Sequence, residues 1–223
     1  MTRLLLASAS PARLATLRAA GFDPLVQVSD VDEPAVLAAA RERLGEFDVA
    51  DAVLLLAQAK ALDVASALED GRLDDVADDD VLVLGCDSLL ELDGQPLGKP
   101  ADAAQATERW HLMRGRTGVL HTGHWLVDTR PTAPDGPGTG ATLGATASTT
   151  VHFADLSDEE VDAYVASGEP LAVAGAFTLD GLGGPFVEGV EGDPHSVVGV
   201  SLPLLRALLA EVEVTVPQLW RRA

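Results

Sequence analysis

The chain has 223 residues, of which 47% are hydrophobic, enough for one large α/β domain or two small lobes around a sizeable core. Its 35 acidic residues outnumber 15 basic ones, for a formal charge of -20, and the bases form no block. Phosphate contacts would have to overcome that field, so broad nucleic-acid binding is excluded and an acidic, soluble enzyme is expected. A single cysteine, Cys86, rules out an intramolecular disulfide framework and suits a reducing compartment. The opening MTRLLLASASPA is too short in its apolar core for a signal peptide, and no run approaches the ~18 apolar residues of a membrane span. A cytoplasmic protein without membrane association is the expectation.

In chain order, Leu4 to Ala7 predict a short strand that runs through Ser8-Ala9-Ser10-Pro11 into a helix ended by Gly21, with Ser10 as N-cap and Pro11 at the first helical position. Such a turn offers hydroxyls and free N–H groups at the positive end of a helix, and Arg13 adds charge. It suits an anion, or it is an ordinary capped helix. Phe22 to Ser29 predict a second strand, followed by Asp30, Asp32 and Glu33, either ligands for a hard cation or a solvated capping turn. Helices are predicted over Val36 to Leu44 and Val49 to Leu68, the second carrying Lys60, and residues 69–80 read as an acidic surface loop.

The stretch Val81 to Pro100, VLVLGCDSLLELDGQPLGKP, is the centre of the chain. Val81 to Leu84 predict a buried strand, and Asp93-Gly94 favours a two-residue hairpin turn. A hairpin with Asp87 on one arm and Lys99 on the other brings an acid and a base together at a sheet edge. Cys86 reads as a small buried hydrophobe rather than a nucleophile. Downstream, a helix over Ala101 to Met113 and a strand over 119–128 lead into residues 129–150, rich in Gly, Pro and Thr and read as a long flexible loop before a partner strand at 147–154. Ser157-Asp158-Glu159-Glu160 is a capping box. Residues 174–199 are rich in glycine, as backbone that turns tightly or approaches a ligand is, and the last helix spans Leu202 to Val212.

Lys60 and Lys99 are the only lysines, the other 13 basic residues being arginines. This choice marks the two positions as places where a compact ammonium matters, or it is chance. The five histidines, His111, His121, His124, His152 and His195, show no H-E-x-x-H spacing, and each reads as a surface or strand histidine rather than a zinc ligand. Neither G-x-G-x-x-G nor a P-loop follows the first strand.

Seven fragments in order carry a resemblance: LASASPAR (Leu6 to Arg13), SDVDE (Ser29 to Glu33), LAQAKA (Leu56 to Ala61), GCDS followed by LGKP, RGRTGVLHTG (Arg114 to Gly123), GEPLAVAGAF (Gly168 to Phe177) and GVEGDPHSVVGVSLPLL (Gly189 to Leu205). Together the chain resembles the Maf-like nucleoside triphosphate pyrophosphatases, nearly end to end. The resemblance implies one domain over 1–223, an α/β fold with a long mixed, twisted sheet flanked by helices, and two lobes with a nucleotide cleft between them. It implies hydrolysis of nucleoside triphosphates, modified ones included, to monophosphate and pyrophosphate, a divalent cation (Mg²⁺ or Mn²⁺) as cofactor, a homodimer, and a link to arrest of cell division and septum formation.

Carried over residue by residue, the resemblance makes Asp87 the catalytic carboxylate, expected to accept a proton from the attacking water. Glu33 joins Asp87 on the metal, and Ser8, Ser10, Arg13, Lys60 and Lys99 hold the triphosphate. Three positions that vary with base preference in the family are Ala12, Ser88 and Asp180, and here they match neither the pyrimidine-preferring nor the 7-methylguanosine-preferring branch. Val173 also replaces a common lysine or cysteine. A non-catalytic nucleotide-binding regulator of division is the alternative; the presence of Asp87, Glu33, Lys60 and Lys99 together argues against it.

Overall fold

The computed structural model describes residues 2–73, 76, 80–132 and 136–221. Much of the expected acidic surface loop, 74–75 and 77–79, therefore lies outside the described residues, as do 133–135. The strands are β1 (Thr2–Ala7), β2 (Leu25–Val26), β3 (Asp80–Leu92), β4 (Gln95–Leu97), β5 (Thr117–Asp128), β6 (Thr142–Phe153) and β7 (Val187–Glu191). The helices are α1 (Pro11–Ala19), α2 (Glu33–Leu44), α3 (Val49–Glu69), α4 (Ala103–Met113), α5 (Asp158–Ala166), α6 (Pro194–Val198) and α7 (Leu202–Glu211). The expected mixed sheet flanked by helices is present: its order is β2-β1-β3-β5-β6-β7, with β4 also on β3.

β3 is the axis. Along one edge it pairs parallel with β1 from Asp80 to Gly85, then antiparallel with β4 from Leu90 to Leu92. Between those ladders, Cys86 to Leu89 have no strand on that side, while β5 pairs with the whole length from Leu82 to Glu91 on the other edge. The sheet is thus split on one side at the strand's middle. The hairpin closes through Asp93 (φ 51°) and Gly94 (φ 76°), the two left-handed residues that a type I′ turn requires.

Because side chains alternate along a strand, β1 and β3 each feed both faces of the sheet. Leu4, Leu6, Leu82, Leu84 and Cys86 pack beneath α1 and α7 with Leu17, Leu205 and Leu209. Further along β3, Leu90 and Leu92 begin a second apolar body with α4 and α5, centred on fully buried Trp110, whose ring meets Phe153, Tyr164 and Phe186 edge-on. Leu5, Val81 and Val83 face the other way, onto Ala61, Val64 and Ala65 of α3.

α3 lies unusually close to the sheet. A Cβ on Gly85 would stand 2.2 Å from the Ala57 carbonyl oxygen, and one on Gly123 would stand 2.3 Å from that of Val53. Two strand glycines thus seat the helix that carries Lys60.

Two expected elements differ. The strand predicted over Phe22 to Ser29 pairs only at Leu25–Val26, because Pro24 lacks an N–H and Phe22 turns into the core, bridging to Trp220. The loop expected over 129–150 is shorter, since β6 begins at Thr142 and pairs with β5 down to Val127. The Gly and Thr residues that read as loop stand in strand: Gly144 lies flat beneath the Trp125 ring, which a Cβ would meet at 2.3 Å. No helix among the described residues is long and apolar enough to cross a membrane.

Candidate active site

The gap in the β3 edge is the floor of a cleft of about 780 Å³. Ser8, Ser10, Ala12, Arg13, Glu33, Lys60, Asp87, Ser88, Lys99 and Asp180 all line it, so every site position expected from the sequence reaches one cavity.

One wall is the turn from β1 into α1. Ser10 caps the helix by accepting the Arg13 amide at 3.3 Å, and Ser8 Oγ accepts the Ser10 amide at 3.2 Å. The buried Arg13 guanidinium then spreads over three elements. Nη1 donates to Ser8 Oγ at 2.9 Å, Nη2 to Ser88 Oγ at 3.1 Å, and Nε to the Gly199 carbonyl at 2.7 Å. A planar fork makes these three bonds at once; a lysine could not. Gly199 has φ 121°, and a Cβ there would come 3.1 Å from Arg13 Nε, so this close approach needs glycine.

The pleat of β3 sends Ser88 and Asp87 to opposite faces. Ser88 turns to Arg13 and to Thr122 Oγ1 (2.9 Å), which donates in turn to the Ser196 carbonyl at 2.8 Å. Asp87 turns to α3, where Lys60 Nζ sits 2.5 Å from Asp87 Oδ1 and 2.6 Å from Glu33 Oε1. Glu33, at the first turn of α2, is half exposed, while Asp87 is 7% exposed. Burial pushes the Asp87 carboxyl above its ordinary range, and the Lys60 and Arg13 cations oppose that rise. A carboxylate raised by burial is a stronger base than an exposed one.

The hairpin does not pair Asp87 with Lys99, as the sequence suggested. The ammonium on Asp87 belongs to Lys60, and Lys99 makes no ion pair with any described residue. Lys99 stands past the end of β4, where the preceding Gly98 carbonyl accepts from Arg109 Nη1 at 2.5 Å and from the Gly175 amide at 3.0 Å. Both cations therefore reach the cleft, from different elements. Cys86 is fully buried on the core face, and burial pushes its thiol up to about 11, so it stays a neutral, inert hydrophobe.

Among the described residues, no group of three or more His, Cys, Asp or Glu stands ready to hold a metal ion. His124 is fully buried, pulled down to about 4 by burial; its Nε2 accepts the Ser201 amide at 2.8 Å and its Nδ1 donates to the Thr122 carbonyl at 3.0 Å. It is a satisfied neutral core histidine, more deeply placed than the sequence suggested. Glu169 also lines the cleft, and sequence reasoning gave it no role although it lies within the GEPLAVAGAF fragment.

Residues 3–212 match the family described as Maf-like protein. A nucleoside triphosphate pyrophosphatase of Salinispora tropica is 56% identical over 220 residues, covering 99% of this chain and 88% of the relative. One of Leifsonia xyli subsp. xyli is 52% identical over 221 residues, covering 99% and 98%. A nucleoside-triphosphatase, or dITP/XTP pyrophosphatase, of Mycobacterium abscessus, known as a crystal structure, aligns over 96% of both chains at a TM-score of 0.35 and 13% identity, too loosely to carry an argument. The match over nearly the whole length, with relatives more than half identical, places the chain in the family: it belongs to the Maf-like proteins.

Proposed function

We propose that this cleft hydrolyses nucleoside triphosphates, standard or modified, to nucleoside monophosphate and pyrophosphate by attack of water on the α-phosphate. Relatives that match from end to end carry the name nucleoside triphosphate pyrophosphatase. The observation that carries the mechanism is the Lys60 ammonium held between Asp87 and Glu33, in a cleft that also holds Arg13. Arg13, Ser8, Ser10, Lys60 and Lys99 supply the cations and hydroxyls that bind a triphosphate. Asp87, buried beside Lys60, takes the proton of the attacking water.

The cleft's own charges support a metal requirement. Arg13, Lys60 and Lys99 share it with four carboxylates, Glu33, Asp87, Glu169 and Asp180, so side chains alone do not offset a triphosphate. Glu33 and Asp87 fit Mg²⁺ or Mn²⁺, because a hard cation that also binds phosphates takes one or two protein carboxylates and fills its shell with phosphate and water oxygens. Bound there, it would neutralise phosphate charge. Lys60, paired with both, holds the two carboxylates side by side at the cleft. A homodimer belongs to the same proposal, and sedimentation velocity tests it.

The deciding experiment measures pyrophosphate release from a panel of standard and modified triphosphates with Mg²⁺ or Mn²⁺. Wild type is expected to release monophosphate and pyrophosphate, and Asp87→Asn to lose on the order of 10²–10⁴ in kcat. Turnover by Asp87→Asn at the wild-type rate would remove Asp87 from the chemistry. Binding of nucleotide by wild type without any release would refute the hydrolase.

A further inference from the structure

Beyond the phosphate-binding side chains, the cleft continues along a wall made by Phe177, Thr178, Leu179 and Asp180. With phosphates held by Arg13, Lys60 and Lys99, the nucleoside end of a substrate has this wall to lie against. The wall has no regular secondary structure of its own. After the 3₁₀ turn at Ala174–Ala176, the chain runs in irregular backbone to the next 3₁₀ turn at Gly184–Phe186.

What shapes it is a single carboxylate. Glu169 opens the 3₁₀ turn Glu169–Ala172 that follows α5, a base fixed by buried Pro170 and by Tyr164 and Val165 in the core. Its Oε1 accepts from the Thr178 hydroxyl at 2.5 Å, the Gly183 amide at 2.9 Å and the Tyr164 hydroxyl at 3.0 Å, and its Oε2 accepts from the Leu182 amide at 2.9 Å. Tyr164 Oη in turn accepts the Thr178 amide at 3.2 Å. The loop is folded tightly onto these atoms: a Cβ on Gly181 would stand 2.4 Å from Glu169 Oε2, and one on Gly183 would stand 2.4 Å from Tyr164 Oη. Four donors occupy most of what a carboxylate can accept, so Glu169 is spent on the protein rather than left open to a ligand.

We propose that Glu169 is a positioning residue that sets base discrimination: by clasping Thr178, Leu182 and Gly183 it fixes the segment bearing Leu179 and Asp180 against the nucleoside. This rests on the pyrophosphatase reading of the cleft. Only an acceptor with two oxygens can satisfy this set; glutamine would turn an N–H₂ toward donors, and the loop would lose its template.

The test uses the full chain as wild type, Glu169→Gln and Tyr164→Phe. It measures kcat and KM over a panel of triphosphates that differ in base, and hydrogen exchange at the Leu182 and Gly183 amides. For Glu169→Gln the ratio of kcat/KM between the preferred and the poorest base should narrow about tenfold, as expected for loss of one hydrogen bond to a charged group. The change should lie in KM, with kcat on the preferred substrate within about threefold, and both amides should exchange faster. Tyr164→Phe, which removes one of the four donors to Glu169 and the acceptor of the Thr178 amide but keeps the ring and the carboxylate, should move the same readouts less far, and it decides the matter if Glu169→Gln fails to fold. An unchanged base ratio in a folded variant overturns the clasp, and so does an equal fall in kcat for every triphosphate. Wild-type turnover with an unchanged ratio overturns the clasp alone, whereas no wild-type turnover overturns the pyrophosphatase reading and the clasp with it.

Discussion

Gly85→Ala should disable the site without touching it. Gly85 lies on β3 two residues before Asp87, and an added Cβ would meet the Ala57 carbonyl oxygen at 2.2 Å, the Ala61 amide nitrogen at 2.8 Å and Ala61 Cβ at 2.9 Å. Such contacts do not fall below 3.0 Å, and the atoms in the way are mostly helix backbone, so α3 must retreat from the sheet by roughly 1 Å in a close-packed interior. Lys60 precedes Ala61, and its 2.5 Å contact with Asp87 spans the same gap. A displacement of that size in catalytic groups costs on the order of 10²-fold in rate. Overpacking at the helix–sheet interface costs about 1–3 kcal/mol of stability. The assay is pyrophosphate release, with kcat and KM resolved, beside a thermal melt that confirms a folded protein at the assay temperature. Gly189→Ala is the control: it adds the same methyl where the nearest atom, in the His152 ring, lies 3.8 Å away, and it should leave both readouts unchanged. Wild-type kcat/KM and an unshifted melt for Gly85→Ala would show that the seat of α3 does not set the place of Lys60.

Two further outcomes follow from the charges. Lys60 lowers the carboxyl that burial raises at Asp87, so in Lys60→Met the acidic limb of the kcat/KM profile should move to higher pH for whatever activity remains; a limb that stays or moves down would show that Asp87 is not the titrating base. The second concerns Asp128, whose side chain is inaccessible and accepts from Arg130 Nε at 2.7 Å, Arg130 Nη2 at 2.8 Å and the Thr139 amide and hydroxyl at 2.7 Å each. Burial pushes this carboxyl up, but the Arg130 and Thr139 hydrogen bonds outweigh it and bring it to about 2. Because the folded value lies below the unfolded one, the pair's contribution of about 2 kcal/mol is present above pH ~4 and fades as the pH falls towards 2. In Asp128→Asn near neutral pH, buried Arg130 loses its hydrogen-bonded counter-ion and keeps only the more distant charges of Asp80 and Glu213, at a cost of about 3 kcal/mol. Denaturant unfolding of both proteins from pH 7 down to 2 should show the gap closing with acid, and a gap that is constant with pH would refute the assignment.

The hydrophobic pattern carried the helices and the long strands well, because their burial follows from period alone: α3 is observed over Val49–Glu69 against an expected Val49 to Leu68, and the Asp93-Gly94 turn stands where the dipeptide requires it. Edges were harder to read. Whether Phe22 to Ser29 pairs depends on what lies beside β1, and β6 could be recognised from Thr142 only with β5 in view, since Gly144 is acceptable in that strand because Trp125 covers it. In the cleft, charge and spacing marked the residues, but not their partners. Lys60 on Asp87, the three-way fork of Arg13 and the four donors on Glu169 are contacts between distant parts of the chain, and no local pattern encodes them.

The bond from Arg13 to the Gly199 carbonyl joins positions 186 residues apart. A growing chain reaches the second of them 186 residues after the first, long after Ser8, Ser10 and Arg13 have emerged. Until then the guanidinium has Ser8 and Ser88 to hold it but not its backbone acceptor, and the wall formed by Val197, Val198 and Gly199 does not exist. The cleft is therefore completed across that separation rather than built up along the chain, and a ribosome that stalls before Gly199 releases a fragment without a finished pocket.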